Sequence, residues 1–161
     1  MSKKYELTNE TIMYHGKVLH RIKALKDFNN VKKGDIGGFI EKEDNLSHED
    51  NCWVYDDAKV YDNARVYGNA ICSNARVRGN ARVYDNAKVY DNAMVYCNAK
   101  VCDYAEIFGN AIVGGGAMVY GNAKVFNNAR VYGYAEVYNN AKVFGDARVY
   151  CNARVFSIAM V

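Results

Sequence analysis

The sequence lacks several features that would point to common classes of protein. It has no run near the ~20 consecutive apolar residues of a membrane-spanning helix. Its start, residues 1–6, lacks the apolar core of a secretory signal. None of its five cysteines form a Cys-x-x-Cys pair. We therefore expect a cytoplasmic protein with reduced thiols and no membrane segment.

The chain also lacks a strong charge of either sign. Its formal net charge is +3. Residues 1–50 carry nine basic and nine acidic side chains, so the small excess belongs to residues 51–161. This balance is far from that of a basic nucleic-acid-binding arm, and it argues against an acidic mimic of DNA.

What the chain does contain, from residue 51 to 161, is one repeated phrase: Asn-Ala-(Lys/Arg)-Val-Tyr-(Asp/Gly). It occurs, for example, at residues 63–68, 86–91 and 128–133. The period is too short for a helical repeat. Within it, Ala and Val alternate with Lys/Arg and Tyr, as in a strand with an inward and an outward face. The Asp/Gly and Asn positions are turn residues, so each phrase predicts one short strand and one tight corner.

Three such phrases make a triangular coil of eighteen residues, and successive coils stack about 4.8 Å apart. Valines eighteen residues apart then form inner columns, with alanine at the crowded corners. Sorting the outward residues gives a first face from Lys59 to Tyr150, a second from Arg65 to Phe156 and a third from Trp53 to Met160. One phrase, Ala70 to Ala75, is a residue short. We interpret it as a tightened corner that leaves the columns undisturbed.

This pattern of an aliphatic residue with a small residue two positions earlier resembles the hexapeptide-repeat, left-handed parallel β-helix superfamily. The resemblance covers residues 51–161. The Tyr- and Asn-rich repeat sequence is similar to that of a group of bacterial and prophage repeat proteins. The segments at residues 34–41, 45–47 and 51–54 also resemble this group. The resemblance implies an all-β fold: a left-handed parallel β-helix with triangular coils, preceded by a small β-hairpin cap.

Residues 1–35 do not follow the repeat, and we interpret them as an N-terminal capping segment before a β-helix over residues 36–161. Apolar and β-branched runs on either side of Gly16 favour a β-hairpin. The alternative is a helix, since Val18, Ile22 and Leu25 have helical spacing. In either case the apolar residues need burial against the open first coil, as solenoid caps do. These are Leu19, Ile22, Leu25 and Phe28.

Two features lie where the cap meets the first coil. Gly37-Gly38 is similar to a phosphate-cradling loop, but it lacks the strand-loop-helix context, so a tight entry into the first coil is favoured. Trp53, the only tryptophan, occupies an outward position. Packing beneath the N-terminal segment is favoured for it over stacking on a ligand.

The repeat continues to the last residue without a polar or helical cap. A bare coil exposes strand edges and the end of an apolar core, which favours pairing with another copy. We therefore predict an end-to-end homodimer. Its interface residues are Val155, Phe156, Ile158, Met160 and Val161.

On the third face, phenylalanine replaces tyrosine at Phe108, Phe126 and Phe144. Because phenylalanine has no hydroxyl to leave in water, this ladder suggests a contact surface. It supports a homotrimer as the alternative to the end-to-end dimer. Simple stacking of the rings, with lysine stems over them, would explain the ladder equally well.

On the first face, Gly114 removes a ring between two tyrosines, and two apolar residues replace basic ones beside it. This predicts an apolar hollow that would serve as the partner-binding site. Its residues are Met94, Tyr96, Ile112, Gly114, Arg130 and Tyr132. A relaxed corner with unrelated apolar residues is the simpler alternative.

The repeats contain few residues that could act in catalysis. Many members of the superfamily are acyltransferases that use a histidine in or near the coils, and others bind zinc through histidines. Here His15, His20 and His48 all precede the repeats, and Cys102 has no evident partner base. Cys97 and Cys151 share a corner three coils apart, roughly 14 Å, which is too far for a disulfide. We therefore expect no catalytic residues, no metal and no cofactor.

The sequence thus predicts a non-enzymatic solenoid that associates with itself and binds another protein. The resemblance of the repeat sequence to prophage proteins suggests a phage-derived inhibitor of a host defence protein such as a nuclease. Three alternatives remain. Basic and aromatic ladders could hold single-stranded nucleic acid, although Asp at many corners opposes phosphates. The chain could also be a degenerate acyltransferase, or a structural spacer.

Overall fold

The computed structural model describes residues 2–161, which form strands and one 3-10 turn. The chain begins with β1 (Tyr5–Tyr14), β2 (Lys17–Ala24) and β3 (Ile36–Ile40), and the 3-10 turn follows at Glu43–Asn45. The strands of the repeat are β4 (Trp53–Tyr55), β5 (Lys59–Val60), β6 (Arg65–Val66), β7 (Ile71–Ser73), β8 (Arg76–Val77), β9 (Arg82–Val83), β10 (Lys88–Val89), β11 (Met94–Val95), β12 (Lys100–Val101), β13 (Glu106–Ile107), β14 (Ile112–Val113), β15 (Met118–Val119), β16 (Lys124–Val125), β17 (Arg130–Val131), β18 (Glu136–Val137), β19 (Lys142–Val143), β20 (Arg148–Val149) and β21 (Arg154–Val155). Within residues 2–161, no helix is long and apolar enough to cross a membrane.

The repeat strands form three parallel sheets, one on each side of a coiled chain. The first face contains the strands β5-β8-β11-β14-β17-β20 in that order. The second contains β6-β9-β12-β15-β18-β21 and the third β4-β7-β10-β13-β16-β19, so neighbouring strands in each sheet are three strands apart along the chain. The predicted parallel β-solenoid and its three faces are therefore confirmed. Val60 pairs with Val77 and Cys72 pairs with Val89, so the short phrase at residues 70–75 leaves the columns intact, as predicted.

The six-residue motif folds into a strand and a corner because its positions are suited to burial, to hydrogen bonding between coils and to the turn. The inward Ala and Val side chains of the middle coils are fully buried. Backbone N–H groups on either side of each valine donate to carbonyls one coil further on, as from Arg130 to Ala147 and from Tyr132 to Val149, both at 2.9 Å. In the coils, the second residue after each inward valine adopts a left-handed φ, for example +59° at Asp91 and +66° at Gly121. That slot favours Gly, Asp and Asn because their steric cost there is lowest.

Side chains at the corners hold neighbouring coils together. Asn110 donates from Nδ2 to Asn128 Oδ1 at 3.3 Å, and Asn128 donates to Asp146 Oδ1 at 3.2 Å. The carboxylate of Asp103 accepts from the backbone N–H of Gly121, one coil on, at 2.9 Å. The Asn and Asp residues that the sequence shows as turn formers thus also form ladders between coils.

The N-terminal segment is the predicted hairpin, not the alternative helix. Strands β1 and β2 pair antiparallel around His15-Gly16, β2 pairs with β3, and β3 pairs in parallel with β5. The hairpin therefore extends the sheet of the first face. Leu19 and Ile22 are fully buried as expected, whereas Leu25 and Phe28 are only half-buried.

The centre of the cap is a buried lysine that the sequence did not reveal. The Lys4 ammonium donates to the Cys52 carbonyl at 2.7 Å and lies 3.3 Å from Cys52 Sγ. It also lies 4.8 Å from the centroid of the Phe28 ring. Burial lowers the pKa of Lys4 and raises that of Cys52. Carbonyl groups left free at the start of the first coil are thereby satisfied by a side chain, not by a further coil.

Trp53 packs beneath this cap, as predicted. Its side chain is 1% exposed. Its ring meets those of Phe28 and Tyr5 edge-on, with centroids 5.3 Å and 6.2 Å away. The single tryptophan is therefore part of the joint between cap and solenoid.

Candidate binding surfaces

The C-terminal half of the first face carries a cationic and aromatic surface. We call it the Arg–Tyr patch, and its residues are Tyr96, Ile112, Arg130, Tyr132 and Arg148, which line a depression of about 190 Å³. Strands β11, β14, β17 and β20 position these side chains one above the other. Arg130 and Arg148 are exposed and form no ion pair with any of residues 2–161. The patch therefore presents two free guanidinium groups beside apolar surface.

The first face differs from the other two in its charges. Its outward strand positions contain no carboxylate, whereas Glu136 lies on the second face and Glu106 on the third. Those two glutamates pair with basic neighbours, Arg154 at 3.0 Å and Lys124 at 3.5 Å. The positive charge of the first face is therefore not neutralised along its strands.

The predicted hollow above Gly114 is not open, and this corrects the sequence interpretation. A Cβ added at Gly114 would collide with the ring of Tyr96, which lies over the glycine. The Arg78 guanidinium in turn lies 4.9 Å from the centroid of that ring. The missing side chain is thus replaced by a neighbouring one, and the depression lies beside Ile112 instead, between Tyr96 and Tyr132.

Met94 is the register partner of Ile112, but it does not line the same depression. It lines a different depression, beneath the turn of the hairpin, together with His15, Tyr61 and Arg78. The sequence could not show this because the hairpin is not part of the repeat. Four of the six predicted partner-binding residues line the patch, and Arg148, which the prediction omitted, joins them.

The Phe ladder of the third face is a continuous ring stack. Phe108 and Phe126 have centroids 4.9 Å apart and Phe126 and Phe144 5.3 Å apart, with ring planes within 10°. The stack begins at Tyr90, 5.0 Å from Phe108. Tyrosines on the second face stack in the same way, as at Tyr120 and Tyr138. Ring stacking therefore accounts for the geometry, and the role of the ladder in oligomerisation stays a prediction.

The last coil of the sequence exposes much of its apolar surface. Ile158 is 81% exposed and Met160 66%, and Phe156 and Val161 are each nearly half exposed. Val155 lies just inside, at 8%. In the preceding coils, the backbone N–H at the position of Arg148 or Arg154 donates to a carbonyl of the next coil. The N–H groups of Arg148 and Arg154 themselves have no such acceptor among the described residues.

One grouping escaped the sequence analysis although its spacing is visible there. The Cys102 thiol and the carboxylates of Asp85 and Asp103 lie within 4.8 Å of one another. The two aspartates are eighteen residues apart, so the coil period places them at one corner. Burial raises the pKa of the Cys102 thiol, which keeps it protonated near neutral pH and makes it a weak nucleophile.

The comparisons with known proteins agree with this architecture. A family model described as the YdcK beta solenoid repeat matches residues 58–74, which span the strands from β5 to β7 and the short corner. No curated protein matches the chain significantly. The match and the stacked parallel coils together identify a β-solenoid repeat protein.

Proposed function

We propose that this chain is a non-enzymatic protein-binding solenoid whose Arg–Tyr patch receives the partner. The observation that carries the proposal is the pair of exposed, unpaired guanidinium groups of Arg130 and Arg148 beside aromatic rings. Arginine and tyrosine are the residues in which binding energy at protein interfaces concentrates. Tyr150, 51% exposed, stacks on Tyr132 at the edge of the patch and adds aromatic surface.

The charges of the patch favour an acidic partner surface. The corners beside strands β14, β17 and β20 carry only one carboxylate, that of Asp146. Bidentate pairing of guanidinium with carboxylate gives both attraction and orientation. An interface of this kind associates rapidly at low salt and selects against basic partners.

Protein is favoured over single-stranded nucleic acid by the spacing of the rings. Tyr132 and Tyr150 stack on each other with centroids 5.3 Å apart. A base inserted between two rings needs about 7 Å, twice the usual ~3.5 Å contact distance. One face of each ring is covered by the other, so a base cannot insert between them, and the ring edges and hydroxyls remain for a partner.

Capture from a nuclease-treated bacterial lysate tests this function, with Arg130→Glu compared with the wild type. Reversing the charge should weaken retention of a specific partner by roughly 30-fold, the effect of a loss of about 2 kcal/mol at an interface hot spot. Lys88→Glu, an exposed charge reversal on the third face, is the matched control and should leave retention unchanged. Mass spectrometry of the captured protein tests the inhibitor hypothesis, which is supported by the prophage resemblance alone.

The outcome against the proposal is equally specific. Retention of the same protein by Arg130→Glu would remove the patch from the interface. Binding of nucleic acid with a steep salt dependence would favour the nucleic-acid alternative. Binding of an acyl-CoA would favour the degenerate acyltransferase, and a chain that binds nothing would be a spacer. The left-handed winding and the superfamily membership implied by the resemblance stay predictions.

We further propose that a second copy of the chain covers the last coil, end to end. The exposed apolar side chains and the unpaired N–H donors at Arg148 and Arg154 support this arrangement. Light scattering should give a dimer for the wild type and for Phe126→Asp, and a monomer for Val155→Asp. The dimer proposal fails if only Phe126→Asp gives monomers, which would instead support a trimer packed along the Phe ladder.

A further inference from the structure

A second cavity lies on another face, where the cap meets the solenoid. It has a volume of about 360 Å³, and we call it the junction pocket. Glu43, Asp44 and His48 line it from the cap, and Arg65, Tyr67 and Arg82 line it from the second face. It is independent of the Arg–Tyr patch on the first face.

The pocket exists because the first rung of the second face is uncovered. Leu46 pairs with Val66 as if it belonged to one more coil, but its neighbours do not extend outward. Asn45 is fully buried, and its Nδ2 donates to the Ala64 carbonyl at 2.9 Å. Ser47, the other neighbour, is short. Neither Asn45 nor Ser47 therefore places a long side chain over Arg65 and Tyr67 from the cap side.

Charges of both signs line the pocket in separate places. Arg65 and Arg82 are register partners on β6 and β9, and both are exposed. They form no ion pair with any described residue, and neither does Asp44. Glu43 and Asp44 lie in the 3-10 turn, which precedes β6 along the solenoid. Among the described residues, Arg65, Arg82 and Asp44 thus lack an ionic partner at this cavity, whereas Glu43 pairs with Lys3 at 2.9 Å.

His48 adds a hydrogen-bond donor. Its Nδ1 accepts from the Lys4 backbone N–H at 3.1 Å, which assigns the proton to Nε2. That Nε2 is buried and has no hydrogen-bond partner among residues 2–161, since Glu43 Oε1 is 3.8 Å away. Burial also lowers the pKa of His48, so the ring is neutral at pH 7. A buried N–H without a partner costs free energy, so this side of the pocket is not fully satisfied by the chain itself.

We propose that the junction pocket binds a small zwitterion, an α-amino acid with an apolar or aromatic side chain. Its carboxylate lies against Arg65 and Arg82, and its ammonium group faces Asp44. Its side chain packs on Tyr67. A ligand with only a carboxylate would leave Asp44 unpaired, and one with only an ammonium group would be repelled by the two arginines, whereas a zwitterion satisfies both. The volume of the junction pocket lies near the lower end of the ~300–1,000 Å³ typical of ligand sites. A pocket of this size suits a small ligand such as an amino acid.

The test is an NMR titration of the isotope-labelled full chain with L-phenylalanine and L-leucine. Saturable shifts are expected for the signals of His48 and Tyr67. N-acetyl-L-phenylalanine lacks the ammonium charge and L-phenylalanine amide lacks the carboxylate. Each should bind at least about 10-fold more weakly than L-phenylalanine, equivalent to a loss of about 1.4 kcal/mol.

Two variants separate this site from general surface binding. Arg82→Met keeps the aliphatic stem on an exposed position and should abolish the shifts, while Arg148→Met on the first face should leave them unchanged. Three results would overturn the proposal: no saturable shift at about 10 mM ligand, corresponding to binding weaker than ~3 kcal/mol; equal binding of the amide or the acetyl derivative; or wild-type binding by Arg82→Met. None of these results affects the partner site on the first face.

Discussion

Replacing Trp53 with alanine is expected to release the cap from the solenoid. Trp53 is buried between Phe28 and Tyr5, and its loss leaves a cavity that the rigid first coil cannot fill. Substitutions of this kind lower the free energy of unfolding by about 3–5 kcal/mol. Because coils in a solenoid interact only with their neighbours, the loss should be confined to the cap and the first coils.

Hydrogen exchange measures this localisation directly. Amides of β1 and β2 should lose about two to three orders of magnitude of protection, the equivalent of 3–4 kcal/mol, while those of β17 and β18 keep theirs. Tyr150→Ala is the control, since this ring is 51% exposed near the other end and its loss should cost less than about 1 kcal/mol. Uniform loss of protection along the chain would show instead that cap and coils unfold as one unit.

Replacing Gly38 with alanine is expected to prevent the cap from docking as it does in the wild type. An added Cβ would lie 2.6 Å from the Ala58 carbonyl oxygen and 2.7 Å from Val54 Cγ1. The side chain can adjust, but the carbonyl is part of the backbone, and Phe39 N–H donates to it at 2.8 Å. We expect a loss of at least the ~1–3 kcal/mol of an overpacked core, measured by urea unfolding followed by Trp53 fluorescence.

Gly145→Ala separates this steric effect from a general cost of adding a methyl group. Nothing lies within 4 Å of a Cβ at Gly145, although its φ of +62° is left-handed. Its substitution should cost only the ~1–2 kcal/mol of a left-handed alanine, and it should leave the Trp53 signal unchanged at low urea. If Gly38→Ala is no less stable than Gly145→Ala, the close approach of β3 to the first coil is not required for docking.

The repeat determined the solenoid because its information is local and periodic. Each Val of the middle coils is an inner column residue, as Val95 and Val131 show, and each face follows from counting eighteen residues. Even the missing residue near Asn74 was predictable, because deleting one of two corner residues leaves both flanking strands in register. Which residue of each two-residue strand is buried follows from the motif itself, because the strands that pack against it in the neighbouring coils carry the same motif.

The tertiary structure decided what happens where the repeat is broken. The Tyr96 ring lies over Gly114 because a side chain of the preceding coil fills the space that a missing one leaves. Lys4 is buried because the carbonyls of residues 49, 50 and 52 converge at the start of the first coil, an arrangement that no local pattern encodes.

The same holds for the two candidate sites. Arg148 lies one coil beyond Arg130, as the period of eighteen requires, whereas Met94 lines a depression under the hairpin turn, which is not part of the repeat. The junction pocket opens because Asn45 turns inward above Arg65. Periodic sequence therefore determined the coils and the outward arginines and tyrosines, whereas the shape of each site depends on non-periodic residues, whose positions are set by packing against the completed solenoid.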